Sequence, residues 1–321
     1  MKAPAPLGRI VLAGVAWLAL ACAGSPEIDP RYRPAASVLE IIAVLERHVP
    51  DDTYRFPPAR DFTERNVYRS TLLRLENLER LHESALRAGH FDGAIAFAKA
   101  RSLERLRAFD LAAIAYRRAA ELEPTLSAEA QRSAALCDDL HAAATAPDFL
   151  ATPASAGVVT LPSVEAALDA FETRAEALEQ LLADAGDTHH RHVIREEIER
   201  LDLTRARHFR RLRDWIPDGG VRAAGELERV ALRHQESKFA ARHLLALADL
   251  YADLAVEYVE AHPPEGLRFD PGDFRDLVES GARIYEMVAA RDGTPERIEA
   301  RRRLEAFLAF SLSVDRDRFA P

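Results

Sequence analysis

Cysteine is nearly absent, with two in 321 residues. That is too few for a disulfide framework or for a four-cysteine zinc or iron–sulfur site. Lysine is almost missing too: Lys2, Lys99 and Lys238 are the only ones among 43 basic residues, and 52 acidic residues bring the net charge to −9. No basic excess exists to drive phosphate-backbone binding, so nucleic acid is not an expected partner. Aromatics make up 7% of the chain, and valine, isoleucine and threonine are sparse, which disfavours strands. A Walker loop, a dinucleotide fingerprint, a Gly-x-Ser-x-Gly elbow, His-Glu-x-x-His and Cys-x-x-Cys-His are all missing, so no cofactor and no catalytic activity are expected. What is present is 48% hydrophobic and 30% charged residues, dominated by alanine, leucine, arginine and glutamate. That composition can bury a core and favours helix almost throughout, predicting an all-α fold in one large unit or two domains.

An uncharged run, Ile10 to Ala21, follows Lys2 and Arg9 and is short for a permanent membrane span. It ends Leu18-Ala19-Leu20-Ala21-Cys22, followed by Gly24-Ser25-Pro26. This stretch resembles the lipobox of bacterial lipoproteins, with Ala19 where that family most often has leucine. The resemblance implies cleavage before Cys22, a diacylglycerol thioether on its sulfur and an acylated amino group. It also implies an address on the bacterial outer membrane, facing the periplasm, with membrane contact through the lipid alone. The alternatives are an ordinary secretory peptide cut near Ala19 to Ala21, or a retained N-terminal helix.

The expected organisation is a signal at 1–21, a tether at 22–34, an N-terminal helical lobe at 35–146, a linker at 147–161 and a C-terminal helical lobe at 162–321. Helices are predicted at Ala35–His48, Thr63–Arg87, Asp92–Arg107, Asp110–Leu122 and Ser127–Ala144, with a proline-rich loop from Val49 to Asp61. On the second of these, Val67, Leu72, Leu75, Leu78, Leu81 and Leu86 form the expected apolar face. In the second lobe, Val164, Leu168, Phe171, Ala175, Leu178, Leu182 and Ala185 make a seam of alternating four and three. A turn at Gly186-Asp187-Thr188 leads into a return helix from His189 to Trp215, closed by Pro217-Asp218-Gly219-Gly220. Further helices are expected at Ser237–Ala261, at Asp273–Ala290 and after Pro295, the last with an apolar face of Ile298, Leu304, Phe307, Leu308 and Phe310.

Phe91-Asp92 and Phe109-Asp110 lie 18 residues apart, each opening a helix, which is a helical-hairpin repeat signal. Phe109, Ala112, Tyr116, Ala119 and Pro124 follow the aromatic, small, aromatic, small, proline spacing of the second helix of a tetratricopeptide repeat. Ala100 takes the small-residue place one helix earlier. Leu244, Leu247, Ala248 and Tyr251 follow the first-helix spacing, with Gly281, Tyr285 and Val288 on a later helix. The chain therefore resembles divergent tetratricopeptide-repeat (TPR-like) lipoproteins of outer-membrane assembly, over about half its length. It departs from the pattern at Ala96 and Lys99, where large apolar residues are usual. The resemblance implies an α-solenoid of antiparallel hairpins that binds an envelope protein or peptide.

Few residues suggest chemistry. His189, His192 and Glu196 fall at steps of three and four on one helical face, with His190 alongside; they are weak metal candidates in what reads as a solvated first turn. Cys137 and His141, four apart, could pair as thiolate and imidazole, but Cys137 reads as a small buried hydrophobe. Asp138 and Asp139, like Glu196 and Glu197, are adjacent, point apart on a helix and read as solvated. Arginines at 205–213 and 301–303 are expected to pair with nearby carboxylates rather than form an anion site. The leading expectation is a non-enzymatic scaffold for protein–protein interaction, with Tyr251 on its binding surface. The alternative is a small-ligand binder or a cell-wall-acting enzyme, with its cleft between the Pro50–Asp61 and 262–272 loops.

Overall fold

A computed structural model describes residues 33–48, 66–144 and 161–318. Cys22, the signal, most of the tether, the Pro50–Asp61 loop and the linker up to residue 160 lie outside the described residues. Among those described there are eleven helices and no strand, so the chain is all-α. They are α1 (Pro34–His48), α2 (Val67–Ala88), α3 (Asp92–Arg105), α4 (Phe109–Leu122), α5 (Ser127–Ala144), α6 (Leu161–Asp184), α7 (His190–Leu212), α8 (Gly219–Arg233), α9 (Ala240–Ala261), α10 (Pro271–Ala289) and α11 (Glu296–Arg318).

Local chemistry sets the boundaries. The Asn66 side chain accepts from the backbone N–H of Tyr68 at 2.8 Å and so caps α2. Asp270 does the same for Gly272 at 2.7 Å, with Pro271 opening α10. Left-handed residues end α2 and α3: His90 has φ 59° and Arg107 has φ 63°. Helix α8 fills a stretch to which the sequence assigns no element. Gly219 and Gly220 there read as a stop, but they open a helix. At Gly219 a Cβ would fall 2.0 Å from the carbonyl oxygen of Arg213, so only glycine admits the crossing from α7.

Each helix packs chiefly on its neighbour in the chain, with added contacts of α1 on α3 and α9 on α11. The core is accordingly a series of clusters. One joins α1, α2 and α3; the next joins α3 to α7 and includes Phe109, Tyr116, Leu140, Leu178 and Ile194; a third spans α7 to α11. A smaller one ties Val164 of α6 to Phe209 and Leu212 of α7 and to Ile216 just beyond it. The second cluster draws residues from both sides of the 147–160 segment. Small residues make close approach possible, with Ala100, Ala112, Ala113, Ala119 and Ala130 fully buried between α3, α4 and α5.

The TPR-like positions Ala100, Phe109, Ala112, Tyr116 and Ala119 are buried, while Pro124 is exposed after α4. Leu247 and Ala248 are buried in α9, with Leu244 and Tyr251 packed against the same core. Two predicted faces need correction. On α2 the buried line runs Tyr68, Thr71, Leu75, Leu78 and Leu86; Leu81 falls beside it, exposed, and the helix is kinked at His82. On α11 the core-facing line is Ala300, Leu304, Phe307, Phe310 and Val314, which leaves Ile298 and Leu308 exposed.

Candidate functional site

The last turn of α3 places a carboxylate in the middle of the second core cluster. Glu104 follows Ala96 and Ala100 at steps of four, on the buried stripe, and is completely excluded from solvent. Its Oε2 accepts from the Tyr116 hydroxyl of α4 at 2.8 Å, and the Cys137 thiol of α5 lies 4.0 Å from the same oxygen. His189, in the turn before α7, brings Nε2 to 3.1 Å from Oε1 and 3.4 Å from Oε2. His190, the first residue of α7, brings its Nε2 to 3.2 Å from Oε2. The two imidazoles lie against each other with centroids 3.6 Å apart.

An unpaired buried carboxylate costs several kcal/mol, so the groups around it decide its charge. Burial pushes the Glu104 carboxyl up, but the His189 and His190 imidazoles outweigh it and hold the group well below the usual carboxylate range. Burial lowers His189 more than Glu104 raises it, favouring the neutral ring. A neutral imidazole still donates through Nε2–H, so an ionised Glu104 beside a neutral His189 is self-consistent. Burial and then the Glu104 charge push the Tyr116 phenol up, and burial followed by Glu104 does the same to the Cys137 thiol. The result is a concentrated negative charge inside an alanine-rich core. His189 also forms part of the wall of a cavity of about 410 Å³ lined by Ile42, Leu45, Phe97, Arg101 and Leu126.

A second polar region runs along α7. Glu197 is 5% exposed and is gripped by Arg107, whose Nε donates to Oε1 at 2.6 Å and Nη2 to Oε2 at 2.8 Å. Glu196 accepts from Arg105 at 3.1 Å and from Lys238 at 2.6 Å. Glu199 pairs with His243 at 2.5 Å and accepts from the Ser237 hydroxyl at 2.6 Å. Asp202 accepts from Arg229, Arg233 and His234. Between α6, α7 and the turn joining α8 to α9 lies a groove of about 700 Å³ lined by Glu179, His192, Arg195, Gln235, Glu236 and Lys238 among others.

The predicted trio of His189, His192 and Glu196 does not assemble. His189 turns to Glu104 on α3, His192 lines the groove, and Glu196 is occupied by Arg105 and Lys238. Glu197, expected in solvent, is buried because Arg107 reaches it from the α3–α4 turn. Asp138 and Asp139 are exposed as expected, and Asp138 meets Arg117 across from α4. Cys137 is a buried free thiol. Tyr251 is engaged within the fold, its hydroxyl donating to Glu228 at 2.7 Å. The arginines find carboxylates mostly on other helices: Arg205 meets Glu226, Arg210 meets Asp253, Arg213 meets Glu257 and Arg303 meets Asp249. The signal for Glu104 in the sequence is its charge at a stripe position, since Ala96, Ala100 and Glu104 share one face. Comparison with family models, with curated proteins and with solved structures finds no match for this chain.

Proposed function

We propose that this protein is a lipid-anchored helical-repeat scaffold, an α-solenoid of divergent TPR-like hairpins that binds an envelope protein or peptide beside a bacterial outer membrane. The observation that carries the reading is the groove between α6, α7 and the α8–α9 turn. It has room for several side chains, and its walls offer charges of both signs together with the amide of Gln235. Such a surface suits an extended polar segment, which gains affinity from many modest contacts rather than from one deep pocket. Helices that pack on their chain neighbours hold the groove without any special residue. The anchor rests on Cys22 and the apolar run before it. A lipid would concentrate the groove next to partners in the same membrane.

The test is site-specific photo-crosslinking from Gln235 in native envelopes, run with wild type, Arg195→Glu and Cys22→Ser. Wild type gives one dominant adduct; Arg195→Glu weakens it several-fold; Cys22→Ser moves the protein to the soluble fraction and loses it. An adduct pattern no different from background, or one indifferent to Arg195→Glu, refutes the groove as the binding surface.

A further inference from the structure

We propose that Glu104, His189 and His190 form a binding site for a divalent transition-metal ion, with zinc the best match, apart from the groove assigned to a protein partner. One ligand atom from each residue can be chosen so that all three lie within 4.8 Å of one another. The nitrogen–oxygen separations are 3.1 and 3.4 Å for His189 and 3.2 Å for His190. A tetrahedral ion with bonds of about 2.0 Å places its donors about 3.3 Å apart, so these separations are those of a coordination edge.

They are also hydrogen-bond distances, and the two imidazoles divide the explanations. Hydrogen bonding accounts for His189. It does not account for His190, which is 7% exposed and whose Nε2 has no hydrogen-bond partner among the described residues despite its closeness to Oε2. A buried ring nitrogen aimed at a carboxylate, at the wrong angle to bond with it, is costly unless a third body sits between them.

The donor set selects the class of ion. Two imidazole nitrogens and one carboxylate suit zinc and its transition-metal neighbours; calcium and magnesium prefer oxygen alone. The Tyr116 hydroxyl on Oε2 fixes the carboxylate from the second coordination sphere, the support that ligating groups usually need. Among the described residues no arginine or lysine is bonded to Glu104, and a cation would offset the charge it brings into the core. Cys137 falls outside the set of mutually close donors, which leaves three protein ligands and a fourth position for water or an exogenous group. The cavity that His189 helps to line offers a route in.

The experiment uses the full chain in detergent, without a histidine tag, stripped with a chelator and titrated with zinc by calorimetry. Wild type should take up one zinc per chain saturably at micromolar concentration. Glu104→Gln and His190→Gln should weaken binding by roughly 100-fold or more, while His262→Gln, just after α9 and remote from the cluster, leaves it unchanged. No saturable uptake by wild type overturns the proposal, as does uptake that Glu104→Gln and His190→Gln leave intact. Cobalt loading of wild type needs no variant to fold: intense visible bands of a tetrahedral ion without a thiolate charge-transfer band are expected. The pale spectrum of a six-coordinate ion overturns the assignment.

Discussion

Removing the Asp202 side chain isolates one buried carboxylate that holds three donors. Asp202 is 3% exposed and accepts from Arg229 Nη1 at 2.9 Å, Arg233 Nη1 at 3.1 Å and His234 Nε2 at 2.9 Å. A hydrogen bond to a charged group is worth about 1.5–3 kcal/mol, so three sum to roughly 5–9. Desolvating the carboxylate takes back several kcal/mol. The two arginines are about one-third exposed and keep Glu226 and Glu179 as partners, so they are not stranded when Asp202 goes. The net expectation for Asp202→Ala is a loss of about 2–3 kcal/mol, with Asp202→Asn losing less because its oxygen still accepts.

Urea unfolding followed by far-UV circular dichroism measures it, as a shift in midpoint at unchanged slope. The pH dependence supplies the second half of the test. Burial raises the Asp202 carboxyl, but His234 and Arg229 outweigh it and leave the folded value lowered. A lowered acid contributes stability that is present above its unfolded pKa, about 3.9, and is lost as pH falls through the folded value. The gap between wild type and Asp202→Asn is therefore full at pH 5 and closes below about pH 4. Arg229, Arg233 and His234 face the group directly, and Glu226, Glu179 and the Glu199–His243 pair stand behind them. All of these are common to both proteins and cancel to first order in the difference. A loss below about 0.5 kcal/mol, or a gap unchanged down to pH 3, would refute Asp202 as the anchor of α8 on α7.

Two glycines should respond in opposite directions. At Gly281 a Cβ would meet the Phe307 ring at 2.8 Å and the Tyr251 Cβ at 3.3 Å, so Gly281→Ala should cost about 1–3 kcal/mol. Gly225 lies exposed in α8 with nothing within 4 Å, and Gly225→Ala should stabilise by about 0.5–1 kcal/mol. Thermal unfolding of both variants, if it shifted the same way, would contradict the close seating of α10 on α9 and α11. Cys137 is fully buried and its thiol is pushed up by that burial, so iodoacetamide should label its peptide only after unfolding; rapid labelling of the native protein would contradict the α3–α5 packing.

The helices and their apolar contacts were legible because they are local. Phe109, Ala112, Tyr116 and Ala119 are spaced by three and four, and each is buried as that spacing requires. The return helix likewise buries Ile194, Ile198, Phe209 and Leu212. Helix α8 was hidden by its own opening, since Gly219-Gly220 carries the same letters as a turn. The buried acids were hidden for a different reason. Glu104 meets His189 across 85 residues, Arg107 meets Glu197 across 90, and Glu199 meets His243 across 44. Helical offsets of three and four can pair none of these. Periodicity nonetheless marks the positions, because an acid on an apolar stripe must find a partner somewhere.

The acids of α7 also explain how so alanine-rich a stack keeps its order. Flat alanine surfaces pack closely but resist sliding weakly, since one small side chain is much like the next. Polar contacts at fixed heights remove that freedom. On α7, Glu197 grips the α3–α4 turn through Arg107, Glu199 grips α9 through His243, and Asp202 grips α8 through Arg229 and Arg233. One helix thereby sets the register of elements on both sides of it. It also carries His190 into the α3–α5 core and His192 into the groove, so a shift of α7 would alter the Glu104 cluster and the groove together.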